Sequence, residues 1–249
     1  MEIFMEAKRN LKYFTQKLLT PVSIVGAVLL VIGVILTAIF AGSDVRWVSF
    51  IGIAVAIVGI VLVYTVIGGR TSPSDLDYQV YERVKFLDET AQKRLEVYES
   101  HFSKVINPVT IKGYDYNTTE GLYFKKGTDN KNRTNIYNTA VIYFTKDKMH
   151  IYGKHFSLTD DLFDKEIMGH YRFVDVDRAE IIDKEVAFQE GKYTLRIMTH
   201  TFRIVKNNGD VILNMSVDYG ADIDKAVEDI NRVISVAKDE AAAKAAAEN

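Results

Sequence analysis

Basic side chains concentrate in one stretch of the chain, where they could bind an anion. Residues 110–154 contain eight Lys or Arg against four Asp or Glu, whereas residues 155–190 contain four bases against ten acids. The whole 249-residue chain has a formal charge of −2, which disfavours binding along a nucleic acid polymer. A basic surface beside a membrane attracts anionic lipid headgroups by about 1 kcal/mol per well-placed Lys or Arg. The pattern therefore favours ordinary solvated charge, with a site for an anionic ligand as the alternative.

Residues that could support catalysis are scattered along the chain. There is no cysteine, and so neither a thiol nucleophile nor a Cys/His zinc pattern. The five histidines occur singly, without the H-E-x-x-H spacing of a helical zinc site. The clustered glycines lie in apolar runs and form no phosphate-binding loop. We therefore expect a binding protein that is not an enzyme and that uses no metal or cofactor.

The elements that must position the basic stretch begin with two apolar runs. Residues 18–43 and 47–69 contain no charged side chain, and only three residues separate them. A helix needs roughly 20 apolar residues to cross the ~30 Å hydrocarbon core, so residues 18–69 predict a transmembrane helical hairpin. A cleaved signal peptide is the alternative for the first run, although such peptides have apolar cores of only about 7–15 residues.

Positively charged flanks predict the orientation of this hairpin. Four bases precede the first run, Arg46 lies in the turn, and Arg70, Arg83 and Lys85 follow the second run. Since Lys and Arg favour the cytoplasmic side of short loops, we expect an inner (plasma) membrane protein with both termini in the cytoplasm. Residues 1–17 mix bases with apolar residues, which predicts either an interfacial amphipathic helix or a plain basic flank.

Small side chains line one face of each apolar run. Gly26 and Gly33 fall on one face of the first helix, and Gly52, Ala56 and Gly59 fall on one face of the second. Small residues let helix backbones approach closely in lipid, so we expect the two helices to pack along these faces. The alternative is a homo-oligomer joined through one such face. Neither run contains Asp, Glu, Lys, Arg or His, which disfavours an ion relay but leaves a pore of several copies open.

One long amphipathic helix is predicted after the hairpin, over residues 71–107. Ser72 can cap its start and Pro73 suits its first position, whereas Pro108 cannot continue it. Apolar residues recur at steps of three and four between Leu76 and Ile106 and form one stripe. The helix could pack on the following domain or pair with other copies as a stalk. Breaks in the heptad pattern favour packing on the domain.

Residues 108–240 have the pattern of an antiparallel β domain. Strands predicted at 140–145 and 148–152 form one hairpin, and strands on either side of the Asn207–Asp210 turn form another. Short strands at close spacing predict a sandwich or barrel. An amphipathic helix with an apolar stripe closes the domain, and residues 241–249 form an Ala-rich tail. The predicted fold class is a membrane α+β protein.

A meander of strands closed by one C-terminal helix resembles the pleckstrin-homology (PH) fold. More narrowly, it is similar to small bacterial membrane proteins that place such a domain beside paired transmembrane helices. The resemblance covers residues 139–237 and rests on the hairpins at 144–152 and 202–217 and on the last helix. In families with this fold, lipid phosphates often meet the first hairpin, which implies a lipid-binding site at Lys146, Lys148 and Lys154.

These observations predict a two-span membrane protein whose PH-like cytoplasmic domain binds a protein partner or anionic lipid headgroups. A second resemblance is to bacterial antiphage effectors that join two N-terminal spans to a β-barrel that binds a cyclic nucleotide. That resemblance implies the alternative function, a ligand-gated oligomeric membrane effector or pore.

Overall fold

The structure, a computed structural model, describes residues 2–16, 19–42, 45–103, 106–118, 120–160, 164–190 and 193–247. The chain divides into two compact units. We call Lys8–Ser72 the helical unit, and Met1–Ala7 together with Pro73–Asn249 the sheet unit. Both apolar runs belong to the helical unit, and the predicted β domain belongs to the sheet unit.

Three helices begin the chain: α1 spans Glu2–Thr15, α2 spans Pro21–Phe40 and α3 spans Arg46–Ile67. A capping box starts α2, because Thr20 Oγ1 accepts the N–H of Ser23 at 3.2 Å and Ser23 Oγ accepts the N–H of Thr20 at 2.9 Å. Both α2 and α3 are long and apolar enough to cross a membrane. Residues 43 and 44, in the predicted turn, lie outside the described residues.

α2 and α3 meet along their small residues. The glycines in the contact are buried and the alanine is half-buried: Gly26, Gly33, Gly52, Ala56 and Gly59. Side-chain hydrogen bonds add to the contact, since Ser49 Oγ donates to the carbonyl of Thr37 at 3.1 Å and Thr37 Oγ1 donates to the carbonyl of Ser49 at 3.4 Å. Where the two helices touch, backbone therefore lies against backbone.

The predicted single helix over residues 71–107 is wrong. Two α-helices and a short 3-10 turn replace it: α4 spans Pro73–Val84, α5 spans Leu87–Leu95, and the 3-10 turn spans Glu99–His101. α5 ends because Glu96 adopts a left-handed conformation with φ of 54°, which lets the N–H of Val97 bond to the carbonyl of Gln92 at 3.2 Å. Packing explains the break, since α5 buries its apolar face on the outer side of a β-sheet, against Val141, Tyr143 and Tyr152.

Three antiparallel sheets follow. The first has four strands in the order β1-β4-β5-β6, the second pairs β2 with β3, and the third has the order β7-β8-β9. The strands span Val109–Tyr114 (β1), Phe124–Lys126 (β2), Asn132–Thr134 (β3), Ile136–Phe144 (β4), Lys148–Ser157 (β5), Lys165–Arg172 (β6), Val176–Glu190 (β7), Tyr193–Lys206 (β8) and Val211–Val217 (β9). Over the described residues no continuous ladder closes these sheets, so the barrel alternative is wrong.

Both predicted hairpins are confirmed. β4 pairs with β5 up to Phe144 and Met149, and β8 pairs with β9. Gly209 in the second turn has a φ of 87°, a left-handed conformation that glycine adopts without steric cost. Helix α6, Ala221–Ala247, ends the described chain and includes most of the Ala-rich tail.

The core of the sheet unit lies between the four-stranded sheet, the three-stranded sheet and α6. It contains residues from all three, among them Ile142, Met149, Phe202, Met215 and Ile230. Alternate residues of β4 and β5 point into this core, and the intervening ones point toward α5. Both faces of these two strands are therefore covered over much of their length.

Candidate anion-binding groove

A groove of about 640 Å³ opens at one end of the sheet unit. It lies where the end of β6 and the start of β5 meet the turn between β8 and β9. Its lining residues are Lys148, His170, Tyr171, Arg172, Asp175, Lys206, Asn207 and Asn208. We call it the basic groove, because it brings three cationic side chains together with one carboxylate.

The pairing register of β5 and β6 positions two of the cations. Lys148 lies directly opposite Arg172, and His150 lies directly opposite His170. Like charges opposite each other in a sheet are destabilising. Asp175 relieves this repulsion by binding Arg172 through two hydrogen bonds, Nε to Oδ2 at 2.9 Å and Nη2 to Oδ1 at 3.0 Å. These hydrogen bonds raise the pKa of Arg172 and lower the pKa of Asp175.

Lys148 and Lys206 keep their charges available. Within the described part of the chain, neither ammonium has a carboxylate within 4.0 Å. Lys206 Nζ lies 5.6 Å from the centre of the Tyr171 ring, a cation–π contact that holds the ammonium beside the groove. With Arg172 neutralised by Asp175, the groove retains two positive charges and attracts an anion.

His170, which lines the groove, contacts the buried His150 on the neighbouring strand. His150 Nδ1 lies 2.6 Å from His170 Nδ1, so one of these nitrogens carries the shared proton and the other accepts it. His150 Nε2 also lies 3.1 Å from Thr145 Oγ1. Burial of the ring, reinforced by the nearby His170 and Lys148, lowers the pKa of His150 to about 4. His150 is therefore neutral near pH 7.

This pair predicts a loss of stability on mild acidification. The unfolded chain takes up a proton at His150 near its ordinary pKa of about 6.5, whereas the folded chain does so only near pH 4. Stability should therefore decline as the pH falls from about 6.5 to about 4. Urea unfolding of the detergent-solubilised protein across this range measures the slope. His150→Gln should make it shallower, leaving the part due to His155, whose pKa burial also lowers. The control His101→Gln removes an exposed histidine, and equal slopes in all three proteins would contradict this prediction.

The three lysines implied by the sequence resemblance do not form one site. Lys148 lines the basic groove, and Lys146 is exposed in the adjacent turn between β4 and β5. Lys154 lies six residues further along β5, roughly 20 Å away at 3.3 Å per residue, and is opposite Glu166. Sequence reasoning missed Arg172 and Lys206, because no pattern in the chain reveals which segments a strand register brings together.

Comparisons with protein-family models, with curated proteins and with solved structures find no match to this chain. Among the residues that the structure describes, no group of three or more His, Cys, Asp or Glu is placed to hold a metal ion. Function is therefore inferred from the groove and from the two apolar helices.

Proposed function

We propose that this chain is a membrane-anchored, non-enzymatic binding protein whose sheet unit holds anionic lipid headgroups in the basic groove. The observation that carries the proposal is that two ammonium groups in one groove, those of Lys148 and Lys206, have no carboxylate within 4.0 Å among the described residues. A headgroup phosphate would supply the missing negative charge. Headgroups are favoured over a protein partner because α2 and α3, as transmembrane helices, would keep the chain attached to a membrane and so always near lipid.

The proposal includes a PH-like fold for the sheet unit. Its support is the order of elements: a four-stranded antiparallel sheet, a three-stranded antiparallel sheet and a final amphipathic helix that packs on the core. The strands of the first sheet are consecutive except for the inserted β2–β3 hairpin. That insertion is an addition to the simple meander that the resemblance implies.

Lipid binding through the basic groove should depend on charge at two named positions. The full-length protein in a neutral detergent should bind water-soluble dioctanoyl phosphatidylglycerol more tightly than dioctanoyl phosphatidylcholine. Raising the salt to 1 M should weaken this binding, because the Debye length falls to about 3 Å. Replacing Lys148 and Lys206 together with glutamine should weaken binding about 30-fold, at roughly 1 kcal/mol per base. Isothermal titration calorimetry measures each dissociation constant.

Lys154→Gln is the matched control for lipid binding, because Lys154 lies on the same strand as Lys148 but outside the groove. It should bind phosphatidylglycerol as the wild type does. If the wild type does not prefer the anionic lipid at low salt, the headgroup proposal fails and protein docking takes its place. If Lys154→Gln is as damaging as the double variant, the site lies elsewhere on the sheet unit.

The proposal also places both termini in the cytoplasm, with α2 and α3 as the two spans. Because the chain has no cysteine, a single introduced cysteine reports its own side of the membrane. In intact cells an impermeant thiol reagent should label Val45→Cys, in the turn between the helices, and should not label Lys126→Cys, on β2. The reverse labelling pattern would mean that both termini lie outside the cytoplasm and that the proposed topology is wrong.

A further inference from the structure

A second groove, of about 590 Å³, lies in the sheet unit between α4 and the β1 side of the four-stranded sheet. Four of its lining residues are tyrosines, and we call it the tyrosine groove. Tyr114 and Tyr137 meet edge to face with ring centres 5.1 Å apart, and Tyr116 lies beside them. Val80 and Val84 of α4 form the opposing apolar wall. This groove shares no lining residue with the basic groove, and its volume falls within the range of about 300–1,000 Å³ typical of small-molecule sites.

Charges of both signs line the tyrosine groove, and three of them form no close ion pair with a described residue. Lys112 and Lys131 have no carboxylate within 4.0 Å, and Asp218 has no cation within 4.0 Å, among the described residues. Desolvation raises the pKa of Asp218, although both lysines act to lower it. Asp77 also lines the groove, but its carboxylate already binds Arg133 and accepts the hydroxyl of Tyr114 at 2.9 Å.

One buried acceptor in the wall is also unsatisfied. Asn132 lines the groove, and its Oδ1 is buried without a hydrogen-bond partner among the described residues. Leaving such a group unpaired costs about 1–3 kcal/mol, and only a hydrogen-bond donor removes that cost. The backbone carbonyl of the same residue is satisfied, since Tyr116 donates its hydroxyl to it at 3.0 Å.

We propose that the tyrosine groove binds a small zwitterion, a molecule with a primary ammonium and an anionic group on one short frame. The ammonium donates to the Asp218 carboxylate and, once the Asn132 amide turns toward the groove, to its Oδ1, and the tyrosine rings favour the cation. The anionic group binds Lys112 and Lys131. A ligand with only one charge would leave the groups of the other sign unpaired, so the mixed lining selects a ligand that carries both charges.

Two sources share this chemistry: a free α-amino acid and the phosphoethanolamine headgroup of a lipid. The full-length protein in neutral detergent is titrated calorimetrically with phenylalanine, leucine and phosphoethanolamine. The single-charge analogues, which carry charge of only one sign, are phenethylamine, ethylamine and inorganic phosphate. At least one zwitterion should bind at least 10-fold more tightly than its single-charge analogues. Binding of the amino acids alone identifies a metabolite site, and binding of phosphoethanolamine alone identifies a headgroup site.

Variants test whether that binding uses the tyrosine groove. Lys131→Gln and Asp218→Asn should each weaken binding of the zwitterion at least 10-fold, while Lys126→Gln, an exposed lysine outside the groove, should not change it. Circular dichroism and the unfolding temperature of each variant establish that it is folded. The proposal is overturned if no zwitterion binds, if a single-charge analogue binds as tightly, or if folded Asp218→Asn retains wild-type affinity.

Discussion

Leucine in place of Gly52 or Gly59 should force α2 and α3 apart and destabilise the helix pair by about 3 kcal/mol or more, the upper end for overpacking. A Cβ atom at Gly52 would lie 2.7 Å from the backbone nitrogen of Thr37. A Cβ atom at Gly59 would lie 2.5 Å from the backbone nitrogen of Leu30. Backbone cannot rotate away as a flexible side chain can, so the whole helix must move. In lipid, close packing of this kind is the main attraction between helices, and its loss is not offset elsewhere.

Two controls separate this effect from the general cost of substitution. Val58 is 51% exposed on the outer face of α3, so Val58→Leu adds volume where there is room. Among the described residues, Gly42 has no neighbour within 4 Å of its Cβ position, so Gly42→Ala removes a glycine without a clash there. Thermal unfolding in detergent, followed through Trp47 as the only tryptophan, ranks the variants. Equal stability of all four variants would show that α2 and α3 do not pack through these glycines.

The parts of the fold that are encoded locally could be predicted from the sequence. Hydrogen bonds within a helix are local, so a long apolar run such as 47–69 predicts a helix. The same run predicts that the helix surface favours an apolar environment over water. The β4–β5 hairpin is likewise local, because a turn of a few residues joins strands whose alternation sets their register. Small residues such as Gly33 then indicate the face on which the helices meet.

The parts that depend on distant contacts could not be predicted. Nothing about Lys85 or Phe86 breaks a helix by propensity, and the apolar stripe continues across them. The helix is interrupted there because α5 packs on the sheet, and this tertiary packing outweighs helix propensities of a few tenths of a kcal/mol. The basic groove was missed for a related reason, since Arg172 and Lys206 approach Lys148 only through two separate strand pairings.

Arg133 was predicted only as one of several bases, yet it is the most deeply buried cation described. Arg133 is 1% exposed, and two carboxylates enclose its guanidinium. Asp77 of α4 accepts from Nε at 2.9 Å and from Nη2 at 2.7 Å, and Asp129 accepts from Nη1 at 2.9 Å and from Nη2 at 2.6 Å. α4 begins six residues after α3 ends, so this cluster ties the segment that follows α3 to strand β3.

Asp77→Asn should therefore destabilise the sheet unit by about 3 kcal/mol, the lower end of the range for breaking a buried ion pair. The lower end applies because Asp77 itself is 42% exposed, while the buried guanidinium loses one of its two anionic partners. Glu89→Gln, which removes one exposed carboxylate from α5, should change stability by less than about 0.5 kcal/mol. Urea unfolding in detergent, followed by circular dichroism, gives the free energy of unfolding of each variant.

The double variant Asp77→Asn/Arg133→Met makes the same prediction sharper. Once the guanidinium is gone, Asp77 has no buried charge to neutralise, so the two substitutions together should cost less than the sum of their separate costs.

Burial alone would raise the pKa of Asp77, but hydrogen bonds from Arg133 and Tyr114 hold it below its usual value, and Arg133 lowers the pKa of Asp129 as well. A lowered carboxylate pKa adds stability above the unfolded pKa of about 3.9, and that stability is lost as the pH falls further. Wild-type protein should therefore lose stability below about pH 4 more steeply than Asp77→Asn. Strict additivity, or the same acid profile in both proteins, would mean that the Arg133 cluster does not hold α4 on the sheet.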